Sequence, residues 1–171
     1  AEVFWEAGGF AYREAGGYAR IATLLHEIRR ERDGRVLVLD GGDTFHGTRP
    51  VVDTQGAILP PILNDLGIDA MTAHWEFAYG PEVLEQRVGD LRYPLLAANV
   101  FRADTDERPY PATMVREVGD VRVGVIGLAS HIVDKTMPPH FSEGLRFETG
   151  NERLPAHIEH LRASEKIDLV V

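Results

Sequence analysis

Four consecutive apolar residues, Val36-Leu37-Val38-Leu39, stop abruptly at Asp40-Gly41-Gly42-Asp43. So short a run, bounded by turn residues, is expected of a strand buried on both faces, the kind found where helices cover a parallel sheet. The flanking sequence fits that frame. After Gly16-Gly17, the residues Ile21, Leu24, Leu25 and Ile28 follow the i, i+3, i+4, i+7 spacing of an amphipathic helix, with Asp33-Gly34 as its stop. Ala1 to Tyr12 is Gly-rich and aromatic without clear period and reads as a loop. A second loop is expected from the first strand to about Val52.

Further along, Ala57 to Leu66 reads as a helix interrupted early by Pro60-Pro61. Ala70 to Ala73 reads as the next buried strand, Pro81 to Val88 as a helix with proline at a tolerated first position, and Tyr93 to Ala98 as a third strand. Residues 112–118 and 121–128 alternate apolar with polar around Gly119-Asp120, a two-residue link whose leading glycine signals a type II′ hairpin. A helix over Glu152 to Ala163 and a strand over Ile167 to Val171 close the pattern. The fold class is α/β, with strands near 35–40, 69–73 and 94–98 as parallel neighbours.

At 171 residues the chain fits one ordinary domain with a sizeable core. The net charge of −9 argues against a nucleic-acid partner, which needs a concentrated basic surface. No apolar run approaches the roughly 20 residues that span a bilayer, so no membrane association is expected. Cysteine is absent, which excludes disulfides, thiolate zinc sites and a cysteine nucleophile. A metal would have to be held by oxygen and imidazole ligands, a donor set suited to Mn, Mg or octahedral Zn.

Chemistry is expected at the carboxyl ends of the strands, where loops carry polar groups without disturbing the core. The first such end is Asp40-Gly41-Gly42-Asp43-Thr44-Phe45-His46-Gly47. Its paired glycines let the backbone turn sharply, and the Asp43 carboxylate has two oxygens able to bridge two hard cations. An Asp-Gly turn capping a strand is the bland alternative. The second end is Ala73-His74-Trp75-Glu76-Phe77-Ala78-Tyr79-Gly80. Asp40 reads as a structural residue bonding local backbone, and Asn99 as a strand-end turn residue. His131, His140, His157 and His160 have no supporting spacing.

Gly16 to Arg20 with Leu24-Leu25, Leu37 to Thr48, Leu63 to Met71 and Ala97 to Val100 together resemble the 5′-nucleotidase branch of the calcineurin-like metallophosphoesterases. The order and spacing hold from about Gly16 to Val171. The resemblance implies a metallophosphoesterase-type αββα sandwich and a two-metal hydrolytic site. That family carries Gly-Asn-His-Glu-Phe after the second strand, the Asn a metal ligand and the His a catalytic acid. Here Ala73-His74-Trp75-Glu76-Phe77 puts His74 at the ligand position and Trp75 at the catalytic one. Indole has no titratable group near neutral pH, so it cannot do the proton work of a histidine.

The His-Trp-Glu-Phe-x-Tyr-Gly version resembles the SoxB-type thiosulfohydrolases of periplasmic sulfur oxidation. The resemblance implies two divalent ions, Mn²⁺ foremost with Zn²⁺ possible, and a sulfur-carrier protein whose cysteine S-thiosulfonate is hydrolysed to release sulfate. Expelling a persulfide needs less protonation than expelling an alkoxide, which agrees with the loss of the catalytic acid. On this reading Asp43 and His74 are metal ligands. Trp75 and His46 are the catalytic candidates, Trp75 shaping the pocket and His46 lining it or supporting a ligand. The protein is expected to be exported to the periplasm.

The family's opening Asp-x-His strand is expected before Ala1 and its later histidine motifs after Val171. Residues 1–171 are therefore expected to form part of a catalytic domain, truncated at both ends and inactive alone. Two alternatives stand beside the thiosulfohydrolase: a periplasmic 5′-nucleotidase or nucleotide-sugar phosphohydrolase, and a metal-binding domain without turnover.

Overall fold

The computed structural model describes residues 2–13 and 16–171, and these divide into two compact units, 1–36 and 37–171. In the first unit, β1 (Glu2–Glu6) and β2 (Gly9–Arg13) pair antiparallel from Glu6↔Gly9 to Glu2↔Arg13. The expected loop over residues 1–12 is thus a hairpin. Its two-residue turn takes φ +46° at Ala7 and +84° at Gly8, the double left-handed requirement of a type I′ turn. Alanine is not a residue that advertises that conformation, so the turn does not stand out in the sequence. Helix α1 (Tyr18–Glu31) follows as the apolar spacing predicts, and Asp33 and Gly34, both at positive φ, end it.

The second unit begins with β3 (Leu39–Asp40), shorter than the apolar run that leads into it. Leu39 is 39% exposed, so the strand is not buried on both faces as expected. Helix α2 (Arg49–Asp53) replaces the expected continuation of the loop, with Pro50 in its first turn, where no N–H is needed. Helix α3 (Leu59–Leu66) starts at the residue before Pro60-Pro61, so the prolines open the helix and do not interrupt it. It buries Leu59, Leu63 and Leu66 at i, i+4, i+7 and ends at Gly67, in the left-handed conformation common after helices.

Strand β4 (Ala70–Met71) pairs parallel with β3, Leu39 opposite Ala70 and Asp40 opposite Met71. A 3₁₀ turn over Glu76–Tyr79 leads into α4 (Pro81–Gly89). The third expected strand is reduced to one parallel bridge, Met71↔Leu95, held by Met71 N donating to Pro94 O (3.0 Å) and Leu96 N donating to Met71 O (2.7 Å). The order 39, 71, 95 is the expected set of parallel neighbours. After it come β5 (Val100–Arg102), β6 (Thr113–Val118) and β7 (Val121–Ile126). The β6–β7 hairpin turns at Gly119 with φ +62° and Asp120 not left-handed, as a type II′ turn requires.

A short α5 (Val133–Thr136), a 3₁₀ turn at Pro139–Phe141 and β8 (Leu145–Phe147) follow, then α6 (Leu154–Ser164) and β9 (Leu169–Val170). Strand β8 pairs antiparallel with β5, and β9 parallel with β7. Ala98 N donates to Gly127 O at 2.8 Å, linking the 94–98 segment to the end of β7. Ala70, Leu96, Val123 and Val125 form a buried cluster there, with Leu37, Met114 and Val118 packed against it.

Asn99 lies in the turn that leads into β5, as expected, and is fully buried. Its amide donates to Ala129 O and Glu148 O, and its Oδ1 accepts from Ala129 N, all at 2.8 Å. Beside it, the Phe101 ring is ringed by the guanidiniums of Arg108, Arg146 and Arg153, 4.7–4.9 Å from its centroid. Arg146 pairs with Glu148 and Asp106, and Arg153 with Glu148.

Candidate metal centre

The loops after β3 and β4 leave neighbouring parallel strands at the same edge, and backbone contact draws them together. Thr72 N donates to Asp40 O at 3.0 Å, extending the β3–β4 pairing. Gly42 lies so close to the second loop that a Cβ added there would stand 2.7 Å from His74 N and 3.0 Å from Thr72 O. Its φ of +87° also favours glycine. Of the two glycines in the motif, this is the one the geometry demands.

Asp40 does the structural work expected of it. Its carboxylate accepts from Gly42 N at 2.9 Å and from Thr44 Oγ1 at 2.9 and 3.1 Å. Burial pushes its carboxyl above the usual range, the Gly42 and Thr44 bonds pull it back, and the charge of Glu76 raises it further. Phe45 then turns into the core, 1% exposed, and anchors the far end of the loop. Between the two anchors Asp43 adopts φ +70° and holds a side chain that is 55% exposed.

Two imidazoles meet Asp43. His46 Nε2 is 2.5 Å from its Oδ1 and His74 Nδ1 is 3.3 Å from the same oxygen. The His46 bond holds the Asp43 carboxyl below its usual range, and the His74 bond adds to that. Trp75 is half-buried, its ring centroid 5.9 Å from those of both His46 and His74, tilted 41° and 37° to them. All four residues singled out in the sequence therefore share one small surface. The shared site required Asp43 and His74 within about 10 Å, and they are within contact distance.

Donors about 2.0–2.2 Å from one ion stand roughly 3–3.5 Å apart when cis in a tetrahedral or octahedral shell. The Asp43–His74 separation of 3.3 Å is compatible with that spacing, and equally with a hydrogen bond between the two side chains. Among the described residues, no group of three or more acidic or histidine side chains is placed to hold one ion. Asp43, His46 and His74, though close together, do not by themselves make such a group.

Glu76 is the residue whose role the sequence does not announce. It is 1% exposed, and its carboxylate accepts three backbone N–H groups: Thr44 N at 2.6 Å and Phe45 N at 3.4 Å on Oε1, and His74 N at 2.6 Å on Oε2. An acid between Trp75 and Phe77 was the available signal.

No family model matches the chain. Protein UshA of Escherichia coli K12 is 32% identical over 172 residues, covering 96% of this chain and 31% of UshA. The 5′-nucleotidase of Vibrio vulnificus is 32% identical over 173 residues, covering 98% of this chain and 30% of its own. The solved structure of Thermus thermophilus sulfate thiohydrolase SoxB superposes with a TM-score of 0.82 at 29% identity, covering 87% of this chain and 28% of SoxB. A 5′-nucleotidase precursor, also of Thermus thermophilus, superposes with a TM-score of 0.82 over 99% of this chain and 33% of its own; at 24% identity that likeness is one of fold.

The fold is thus of the metallophosphoesterase α/β type, of which these residues form a part. The chain belongs to the 5′-nucleotidase/calcineurin-like phosphoesterase superfamily. It spans about a third of the length of the curated relatives it matches.

Proposed function

We propose that the whole protein is a dinuclear-metal hydrolase of the 5′-nucleotidase family, acting on a carrier-protein cysteine S-thiosulfonate and releasing sulfate. The observation that carries this reading is the local constellation: His74 stands 3.3 Å from Asp43, and the adjacent residue is Trp75, not a second titratable group. Asp43 and His74 would hold metal, Mn²⁺ foremost. Bound divalent ions would lower the pKa of a water and neutralise charge on the substrate's oxygens.

The chain's own residues do the rest. The left-handed Asp43 directs its carboxylate at His74, and His46 orients that carboxylate through a short hydrogen bond. Trp75 walls the site beside both imidazoles and brings one N–H donor but no acid. That arrangement suits a leaving group that departs readily as an anion, as a persulfide does. The likeness to SoxB supports the sulfur substrate.

A second reading is favoured by the identity to UshA and to the Vibrio vulnificus 5′-nucleotidase: the substrate is a nucleotide and Trp75 is tolerated. Both readings place the protein outside the cytoplasm, and no described helix is long and apolar enough to cross a membrane. The deciding experiment assays the whole protein, loaded with Mn²⁺, against carrier-bound thiosulfonate and against a nucleotide panel. Sulfate release supports the first reading. Phosphate release from nucleotides without sulfate release replaces it with the second, and metal binding with neither product makes this a binding domain.

A further inference from the structure

Glu76 is a buried acid whose partners, among the described residues, are all backbone amides, and those amides belong to two different loops. Burying a carboxylate is costly unless its oxygens are satisfied, so the arrangement demands a structural return. Oε1 holds the loop that carries Asp43, through Thr44 N and Phe45 N. Oε2 holds the loop that carries His74, through that residue's own N–H. We propose that Glu76 is a positioning residue, a two-ended clasp that fixes the separation of Asp43 and His74. This rests on the reading of those two residues as metal ligands.

The chemistry requires a carboxylate. Both its oxygens accept, whereas a carboxamide of the same shape has one acceptor and one donor. Glutamine at this position can hold one loop but not both, because its NH₂ would face an N–H at the other. Methionine, of similar length and with no strong acceptor, holds neither. Gly42 shows how closely the clasp is fitted: a Cβ there would also stand 3.0 Å from Glu76 Oε2.

The test compares wild-type whole protein with Glu76→Gln and Glu76→Met by amide hydrogen exchange and by Mn²⁺ titration. Exchange reports local opening site by site, and a merely structural lesion raises exchange everywhere. Glu76→Gln is expected to speed exchange roughly tenfold or more at either the Thr44–Phe45 amides or the His74 amide, not at both, as befits one lost charge-assisted bond. Glu76→Met is expected to speed it at both, with Val123 and Val125 in β7 unchanged. Mn²⁺ affinity is expected to fall by about tenfold or more in each variant.

Wild-type protection at both loops in Glu76→Met overturns the clasp. A uniform rise that includes β7 overturns it as well, by reducing Glu76 to a general stability residue. If the wild-type protein binds no Mn²⁺, the metal reading fails by itself, and the exchange pattern still decides whether Glu76 joins the loops.

Discussion

The Asp43–His74 edge and the Phe101 cluster use charged side chains in opposite ways. Around Phe101 the charges answer one another: Arg146 and Arg153 share Glu148, Arg146 also takes Asp106, and the aromatic face absorbs three guanidiniums. At the other edge the half-buried Asp40 and the buried Glu76 are occupied with backbone amides and, for Asp40, the Thr44 hydroxyl. Asp43, His46 and His74 remain at the surface, bonded only loosely or to one another. The first arrangement holds β5 and β8 in place. The second leaves one carboxylate and two imidazoles partly open to solvent.

The contrast can be broken most decisively at His74. In the whole protein, His74→Ala is expected to strip or misplace one metal and abolish turnover, because an ion loses a direct ligand. Trp75→Phe should keep the metals and change the rate by about two- to 150-fold if its N–H bonds charge in the transition state, the equivalent of about 0.5–3 kcal/mol. Metal content by mass spectrometry and sulfate release, measured on the same samples, check both. Full metal and full activity in His74→Ala would remove the distinction between the two regions.

Phe101→Ala should do the reverse, costing about 3–5 kcal/mol of stability in urea unfolding while leaving metal stoichiometry unchanged in the folded protein. A loss of metal at temperatures where the variant is folded would show that the regions are coupled. Phe77 offers a route for that, since its ring meets Phe147 of β8 edge-on at 5.1 Å.

A smaller effect sharpens the account of the site loop. Gly42→Ala places a methyl against His74 N at left-handed φ and is expected to cost about 1–3 kcal/mol. Gly41→Ala meets nothing within 4 Å and should change stability by no more than about 1 kcal/mol. Denaturant midpoints of the two variants, measured together, separate the glycine that is required from the one that is not.

The smallest effect is one of pH. Burial holds the His157 imidazole below its usual range, and Arg108, His160 and Arg153 push it the same way. The folded state favours the neutral ring, so this contribution is present above the unfolded value near 6.5 and is lost as pH falls through the lower folded one. His157→Gln should therefore flatten the acid side of the stability profile, read from urea unfolding at about pH 7.5 and about pH 5. An unchanged slope would mean that neither burial nor the neighbouring cations shift this ring.

The same contrast explains what could be read from sequence. The grouping of these residues was legible because they are local: Asp43 stands three positions past β3, His74 three positions past β4, and parallel pairing brings two such ends together. The hairpin over residues 2–13 was not legible, because its turn depends on an alanine in a left-handed conformation. Strands β5 and β8, three residues each, were too short to show a period. The Phe101 cluster joins Arg146 to Asp106 across 40 positions, and no pattern in the chain connects them. Glu76 was visible as a letter in a motif, but its three amide partners exist only once the loops have folded.

Asp43 also bears on which sequences can occupy this edge at all. At φ +70° the position accepts glycine readily and asparagine or aspartate at modest cost, and other residues with difficulty. Of these three, only aspartate carries a negative charge, so backbone conformation and charge requirement are met together by a single amino acid. A change to glutamate, mild by any charge-based reckoning, keeps the carboxylate but loses the side chain suited to this conformation. A change to asparagine keeps the conformation and loses the charge. No substitution at residue 43 therefore keeps both properties, and a library built on charge similarity alone would miss the backbone half of the problem.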